Sequence, residues 1–318
     1  MTDKSKYKIL VTGGAGFIGS NLVDKLLEEG HSVVVVDNLS TGNINLLSPL
    51  ALFYQQDIRD YKVMEIIFET HHFDYVFHLA AQISVPESVE NPRKDAEINI
   101  LGTLNILSLS VKYGIKKIIF SSSGGAIYGE NAPIPTTEEF SPNPISPYAI
   151  SKLACEHYIR FFSKEFNLDY TILRYSNVYG PKQTPKGEAG VVAIFTENML
   201  NNQDVFIYGN GEQIRDFVHV YDVIQANILS LNKAKNEIIN ISSGEATSIN
   251  ELFNIMKEET NYNKKPIYHP KRPGDLELSV LSNEKAKRIL NWQPSFNLKE
   301  GVKNTIEWHR TAIWKDTS

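Results

Sequence analysis

At 318 residues, with 42% apolar and 22% charged side chains, the chain has room for one large globular domain or two ordinary ones. A net charge of -5 offers no electrostatic footprint for nucleic acid or an anionic membrane surface, so neither is expected as a partner. The opening MTDKSKYK has no apolar signal core and no stretch approaches transmembrane length, so a cytoplasmic protein is expected; Cys155, the single cysteine, excludes an intrachain disulfide and a thiolate metal cluster.

In chain order, YKILVTG reads as a buried strand and the amphipathic stretch over 22–29 as a helix. Between them stand Gly13, Gly16 and Gly19, where small residues let backbone approach a pyrophosphate and the helix N-terminus faces the anion. The next strand, HSVVVVD, ends in Asp37, 18 residues past Gly19, the place of a carboxylate that accepts hydrogen bonds from an adenosine ribose. That carboxylate repels a 2′-phosphate, and DNLSTG supplies no arginine to accommodate one, so the expected cofactor is NAD and not NADP.

ALFYQQD, DYVFHLA, KKIIFSSS and DYTILRYS continue the strand series, with a helix expected over 98–113. Runs so uniformly apolar suit strands buried on both faces, which predicts an α/β fold with a doubly wound parallel (Rossmann) sheet. After Ser176 the pattern breaks into Gly-, Pro- and Asn-punctuated loops, which predicts a smaller mixed α/β C-terminal substrate domain. DFVHVYDVIQANILSL and EIINIS read as a helix and strand returning to the sheet. The expected division is 1–176 with about 212–245 for the cofactor domain, and about 177–211 with 246–318 for the substrate domain.

SPYAISK starts a helix: Ser146 caps it, Pro147 suits its first position, and Leu153, Ala154, Tyr158, Phe161 and Phe162 carry on its apolar positions. Tyr148 and Lys152 then share one face, with Cβ atoms about 5–6 Å apart, and an ammonium there favours the ionised phenol. Tyr148 is thus a candidate base. The histidines lack ligand-like companions and no metal is assigned.

TGGAGFIG, DNLSTG, QQDIRD, FHLAAQ, NILGT, SSSGGAIYG and YAISK in this order resemble the extended short-chain dehydrogenase/reductase family of nucleotide-sugar-modifying enzymes, essentially end to end. The resemblance implies that Phe17 and Ile18 flank the glycines at the cofactor, that Asn38, Ser40, Thr41 and Gly42 join Asp37 there, and that Asp57 and Ile58 border the adenine. It implies further that Leu79, Ala80 and Ala81 line the cofactor, Asn99 supports its catalytic side, Lys152 holds the nicotinamide ribose, and Ser176 lies near the nicotinamide. Within the family, RYSNVYGP, GNGEQIRDFVHVYD and KRPGDLELSVLSNEKAKRILNW look most like the UDP-hexose 4-epimerase branch. By that likeness Arg215 and Arg272 clamp the diphosphate, Asn177 and Asp275 hydrogen-bond the nucleotide, Val192 and Tyr208 lie near the uracil, and Ser279 stands beside the sugar's C2. The family's paired helices, here those containing Ile98 and Tyr148, imply a homodimer.

Ser123 is read as the third catalytic residue, with Ser122 the alternative. The Gly124-Gly125 pair that follows offers no acid and base of the kind 4,6-dehydratases use to eliminate water. The expected activity is therefore NAD-dependent 4-epimerisation of UDP-glucose and UDP-galactose through a 4-keto sugar, extended to UDP-GlcNAc and UDP-GalNAc because Ser279 is small. The alternatives are a UDP-glucuronate 4-epimerase or another nucleotide-sugar dehydratase or decarboxylase; outside catalysis, the alternative is a nicotinamide-sensing module.

Overall fold

The computed structural model describes residues 6–185, 190–271 and 276–311. Seven parallel strands form one sheet, ordered Glu237–Ile241, Asp169–Tyr175, Lys117–Ser123, Tyr75–His78, Lys8–Thr12, Ser32–Asp37 and Leu52–Gln55. The chain order reverses between Lys8–Thr12 and Tyr75–His78, and at such a switch point a crevice opens at the carboxyl ends of the strands.

Alternation along each strand feeds two cores. Ile9, Val11, Val33, Val35 and Phe77 pack on one face, with Leu22, Leu26 and Val223 from the flanking helices. Leu10, Val34, Val36, Val76 and Phe120 pack on the other, with Met64, Phe68 and Leu107. Each such side chain contributes about 1.5–3 kcal/mol when fully buried, which explains a sheet with no solvated face. The predicted first helix is Phe17–Glu28; helix Val220–Ser230 packs against it, and strand Glu237–Ile241 extends the sheet.

The helix expected over 98–113 is interrupted. Helix Pro92–Ala96 runs into a π turn, Glu97–Leu101, before helix Gly102–Lys112. The Asn99 carbonyl oxygen within that turn accepts from Thr103 Oγ1 at 2.6 Å and Cys155 Sγ at 3.2 Å. Such a bulge adds a residue to one turn and re-aims its side chains, here that of Asn99.

Beyond the sheet, Tyr179, Phe195, Ile207, Phe217, Leu252, Phe253 and Ile306 build a third core. Short strands edge it: Asn177–Tyr179 beside Phe217–His219, Phe206–Tyr208 beside Ile267–His269, and Ile214–Arg215 between Thr247–Ser248 and Leu278–Ser279.

Candidate active site

The glycine loop is shaped by close approach. Gly13 has φ +71°, and a Cβ there would lie 2.6 Å from the Ala80 amide nitrogen; one on Gly19 would collide with the Gly13 carbonyl oxygen. Gly16 stands at the N-cap of helix Phe17–Glu28 without a side-chain cap, so that turn presents its backbone donors to the crevice. Phe17 and Ile18 pack their side chains on the core and bring backbone to this loop.

Asp37, 9% exposed, accepts from the backbone N–H of Ala15 at 3.0 Å and of Leu39 at 2.8 Å. Burial raises its pKa, and those two bonds oppose the rise. Gly42 packs against the same carboxylate, while Ser40 and Thr41 are exposed on the loop between. Asn38 donates to Asp57 at 3.0 Å, and Arg59 grips Asp57 through Nε at 2.9 Å and a terminal nitrogen at 2.8 Å, holding its pKa down at about 2. Ile58 is buried under Gly102. Leu79, Ala80 and Ala81, each half-buried, follow strand Tyr75–His78 into the crevice. A cradle that a Cβ would fill, an uncapped helix N-terminus and a buried carboxylate at the second strand's end fit a dinucleotide with a ribose diol.

Asn99 ties the next layer together. Its Nδ2 donates to the Gln82 carbonyl oxygen at 3.0 Å, Asp95 Oδ1 at 3.1 Å and Ser151 Oγ at 3.0 Å, and its Oδ1 accepts from the Gln82 N–H at 2.8 Å. The loop after Ala81 and the helix Pro147–Phe166 are thus held to the π turn. Asp95 is absent from the sequence reading; only its four-residue spacing to Asn99 could signal it.

Strand Lys117–Ser123 ends beside the helix Pro147–Phe166, which Ser146 caps by accepting from the Ala149 N–H at 3.3 Å. Strand alternation sends Ser122 one way and its neighbours the other. Ser122 donates to Glu156 at 2.6 Å, and Arg174 holds that carboxylate at 3.0 and 2.6 Å. Ser123 stands beside the Tyr148 phenol and favours its ionised form. Lys152 donates to the Ser121 carbonyl oxygen at 2.9 Å and lies over the Phe120 ring.

The electrostatics correct the sequence reading. Burial pushes Tyr148 up to about 12; Ser123 opposes this, and the Asp95 carboxylate adds to it. Burial likewise pushes Lys152 down to about 8. Helical spacing brings the pair to one face, but desolvation outweighs the effect of an ammonium on the phenol. His78, wholly buried between Thr12 and Thr103, is pushed down to about 3 and is neutral.

A cavity of about 280 Å³ opens in the smaller lobe, lined by Asn177, Tyr208 and Arg215 among Ile194, Phe195 and Phe217. Ser279 stands opposite Arg215 in the strand register. Ser176 precedes Asn177 and donates to Asp216 at 3.1 Å. Val192 is buried in the third core, with Val191 on the cavity wall instead, because helix Val191–Leu200 turns its second residue inward. Arg272 and Asp275 lie outside the described residues. Gln213, absent from the sequence reading, also lines the cavity and donates to the Tyr208 carbonyl oxygen at 2.7 Å. The two halves of the site connect directly: Tyr175 is the register partner of Ser123, and Asn177 follows two residues later.

Residues 9–242 match the family model described as the NAD dependent epimerase/dehydratase family. A crystallised UDP-glucose 4-epimerase of Thermotoga maritima, solved with UDP-glucose, is 56% identical with a TM-score of 0.94, covering 95% of this chain and 98% of its own. The UDP-glucose 4-epimerase of Thermus thermophilus, solved in complex with NAD, is 42% identical with a TM-score of 0.91, covering 96% and 100%. Among curated proteins, a putative UDP-glucose 4-epimerase of Methanocaldococcus jannaschii is 51% identical over 94% of this chain and 97% of its own length. With the glycine cradle, the Tyr148–Ser123 pair and these likenesses in agreement, the chain belongs to the NAD-dependent epimerase/dehydratase family.

Proposed function

We propose that the protein is an isomerase that interconverts UDP-glucose and UDP-galactose, and UDP-GlcNAc and UDP-GalNAc, by inverting C4 of the sugar. The observation that carries this is the continuity from Ser123, beside Tyr148, through its register partner Tyr175 into the cavity holding Asn177, Tyr208 and Arg215. A nucleotide seated in that cavity extends its sugar toward the end of strand Lys117–Ser123.

The residues of the glycine loop, with Asp37, hold the NAD. When bound, NAD supplies the acceptor and donor of hydride at C4 and a positive ring that favours the Tyr148 phenolate. Tyr148 accepts the 4-hydroxyl proton and returns it to the same oxygen once the sugar has turned its other face; Ser123 hydrogen-bonds that oxygen in both directions. Lys152 holds the ribose side of the pocket while bracing the strand at Ser121. Arg215 retains the diphosphate, with a planar cation suited to phosphate oxygens, so the 4-keto sugar turns without leaving. Gly124 and Gly125 bring no proton-transferring side chain to the ring, which favours inversion over elimination of water.

The proposal includes a cytoplasmic homodimer. Leu101, Ile150, Tyr158 and Phe161 are exposed apolar residues on the two neighbouring helical segments that the resemblance pairs across a subunit boundary. Incubation with UDP-galactose, UDP-GalNAc and UDP-galacturonate separately, followed by identification of the sugars, tests the activity. Formation of UDP-glucose and UDP-GlcNAc is the expected result. Turnover of the uronate alone, or accumulation of a dehydrated sugar, overturns it.

A further inference from the structure

Asp216 follows Arg215 and is wholly buried. Its Oδ1 accepts from Ser176 Oγ at 3.1 Å, the Ser243 N–H at 2.9 Å and Ser243 Oγ at 2.8 Å. Its Oδ2 accepts from the N–H groups of Gly244 at 3.1 Å and Leu281 at 3.2 Å. Its carbonyl oxygen accepts from the backbone N–H of Asn177 at 3.0 Å and from Asn177 Nδ2 at 3.2 Å. One residue therefore gathers four chain segments: the Ser176–Asn177 step out of the sheet, its own link between strands Ile214–Arg215 and Phe217–His219, the turn after strand Glu237–Ile241, and the segment running from Ser279 to Leu281.

We propose that Asp216 is the positioning residue of the substrate site, fixing Asn177, Arg215 and Ser279 relative to one another and to the catalytic end of the sheet. The inference rests on the cavity being the nucleotide-sugar site. A carboxylate suits the task because all five groups around it are donors, and only an acceptor on both oxygens satisfies them. Burial raises its pKa and the surrounding donors counter the rise. An amide here turns two of its hydrogens toward N–H or O–H groups, leaving donors facing donors in a closed site. The consequence falls on the spacing between Arg215 and Ser279, while the glycine loop, which none of these bonds reaches, is untouched.

The test is Asp216→Asn in the full chain, with Ser243→Ala as a milder variant that removes one donor from outside the cavity. Asp216→Asn is expected to raise KM for UDP-galactose about tenfold or more, the scale set by unsatisfied buried donors, with kcat within about threefold and bound NAD unchanged. Ser243→Ala should raise KM about threefold. A purely structural role would lower the melting temperature without this split between KM and kcat. Unchanged KM in folded Asp216→Asn overturns the proposal, as does a fall in kcat at constant KM. Should Asp216→Asn not fold, unchanged KM in Ser243→Ala overturns it. Calorimetry with UDP alone separates this inference from the reading it rests on. A wild-type protein that binds UDP without epimerising sinks the activity, while equal UDP affinity in wild type and variant sinks the role of Asp216. Absence of UDP binding by the wild type overturns both.

Discussion

Lys152 Nζ donates to the Ser121 carbonyl oxygen at 2.9 Å, while Tyr148, one turn earlier on the same helix, stands beside Ser123. The two side chains of the YxxxK motif thus meet the same strand end at alternate residues.

Burial of the Lys152 ammonium predicts a pH-dependent stability. Its pKa falls from 10.5 to about 8 on folding, so the unfolded chain binds more protons between those values. Stability therefore rises with pH across about 8 to 10.5, and the charged form is a cost at neutral pH. Lys152→Met should abolish that part of the rise. At pH 7 it should be as stable as wild type or up to about 2–3 kcal/mol more stable, while epimerisation is lost. Lys117, also pushed down to about 8, titrates in the same window, so the difference between variant and wild type is what isolates Lys152. Urea titrations at several pH values provide the measurement, and parallel curves for the two proteins would contradict the assignment.

Replacing Tyr148 by Phe deletes the proposed proton acceptor and keeps most of the ring's packing. We expect turnover to fall by at least roughly 10²- to 10⁴-fold with bound NAD and melting temperature nearly unchanged. Near-normal turnover would remove Tyr148 from the mechanism.

The adjacent serines should separate cleanly. Ser123→Ala loses the group proposed to steady the reacting oxygen, so kcat should fall at least about tenfold with stability little altered. Ser122→Ala instead takes a donor from the buried Glu156–Arg174 pair and costs about 1–3 kcal/mol, with kcat affected less. Glu156→Gln should be the most damaging of the set, at about 3–5 kcal/mol, because it leaves the Arg174 guanidinium buried without its counter-charge. Denaturation curves beside kcat values decide, and a reversed pattern would make Ser122 the catalytic hydroxyl.

What was legible in the sequence was local. The glycine loop, Asp37 and the cap at Ser146 depend on neighbours within a strand, a turn or a helix, so pattern alone placed them. Helical periodicity also put Tyr148 and Lys152 on one face. It could not supply the acceptor on Ser121, 31 residues away, which fixes where the ammonium goes. Nor could it show that burial would dominate both pKa values. The π turn at Asn99 escaped because its register is set by contacts to Gln82 and Ser151, from two other elements. Val191 and Val192 are chemically alike, and only the packing of their helix on the third core decides which one faces the cavity. Asp216 reads as one more acid in RDFVH until its five donors, from three other segments, are brought to it.

The size of residue 279 should set the range of sugars accepted. Ser279 lies opposite Arg215, and two residues later the Leu281 side chain presses against Gly124, the neighbour of Ser123. The 279–281 segment therefore runs from the strand of Arg215 to the end of strand Lys117–Ser123, the course proposed for the sugar. Leu281 is also tied by its N–H to Asp216, which limits how far the segment can yield. On the proposed placement of Ser279 beside C2, a serine leaves space for an N-acetyl group, a tyrosine ring overlaps it, and a hydroxyl at C2 still fits. Ser279→Tyr should therefore lower kcat/KM for UDP-GalNAc by about 10²-fold or more and leave UDP-galactose within about threefold. Measuring both substrates in both proteins checks this. Equal losses on the two would mean that the substitution displaces the Arg215 strand, and a wild type inactive on UDP-GalNAc would show that the pocket is narrowed by other residues than Ser279.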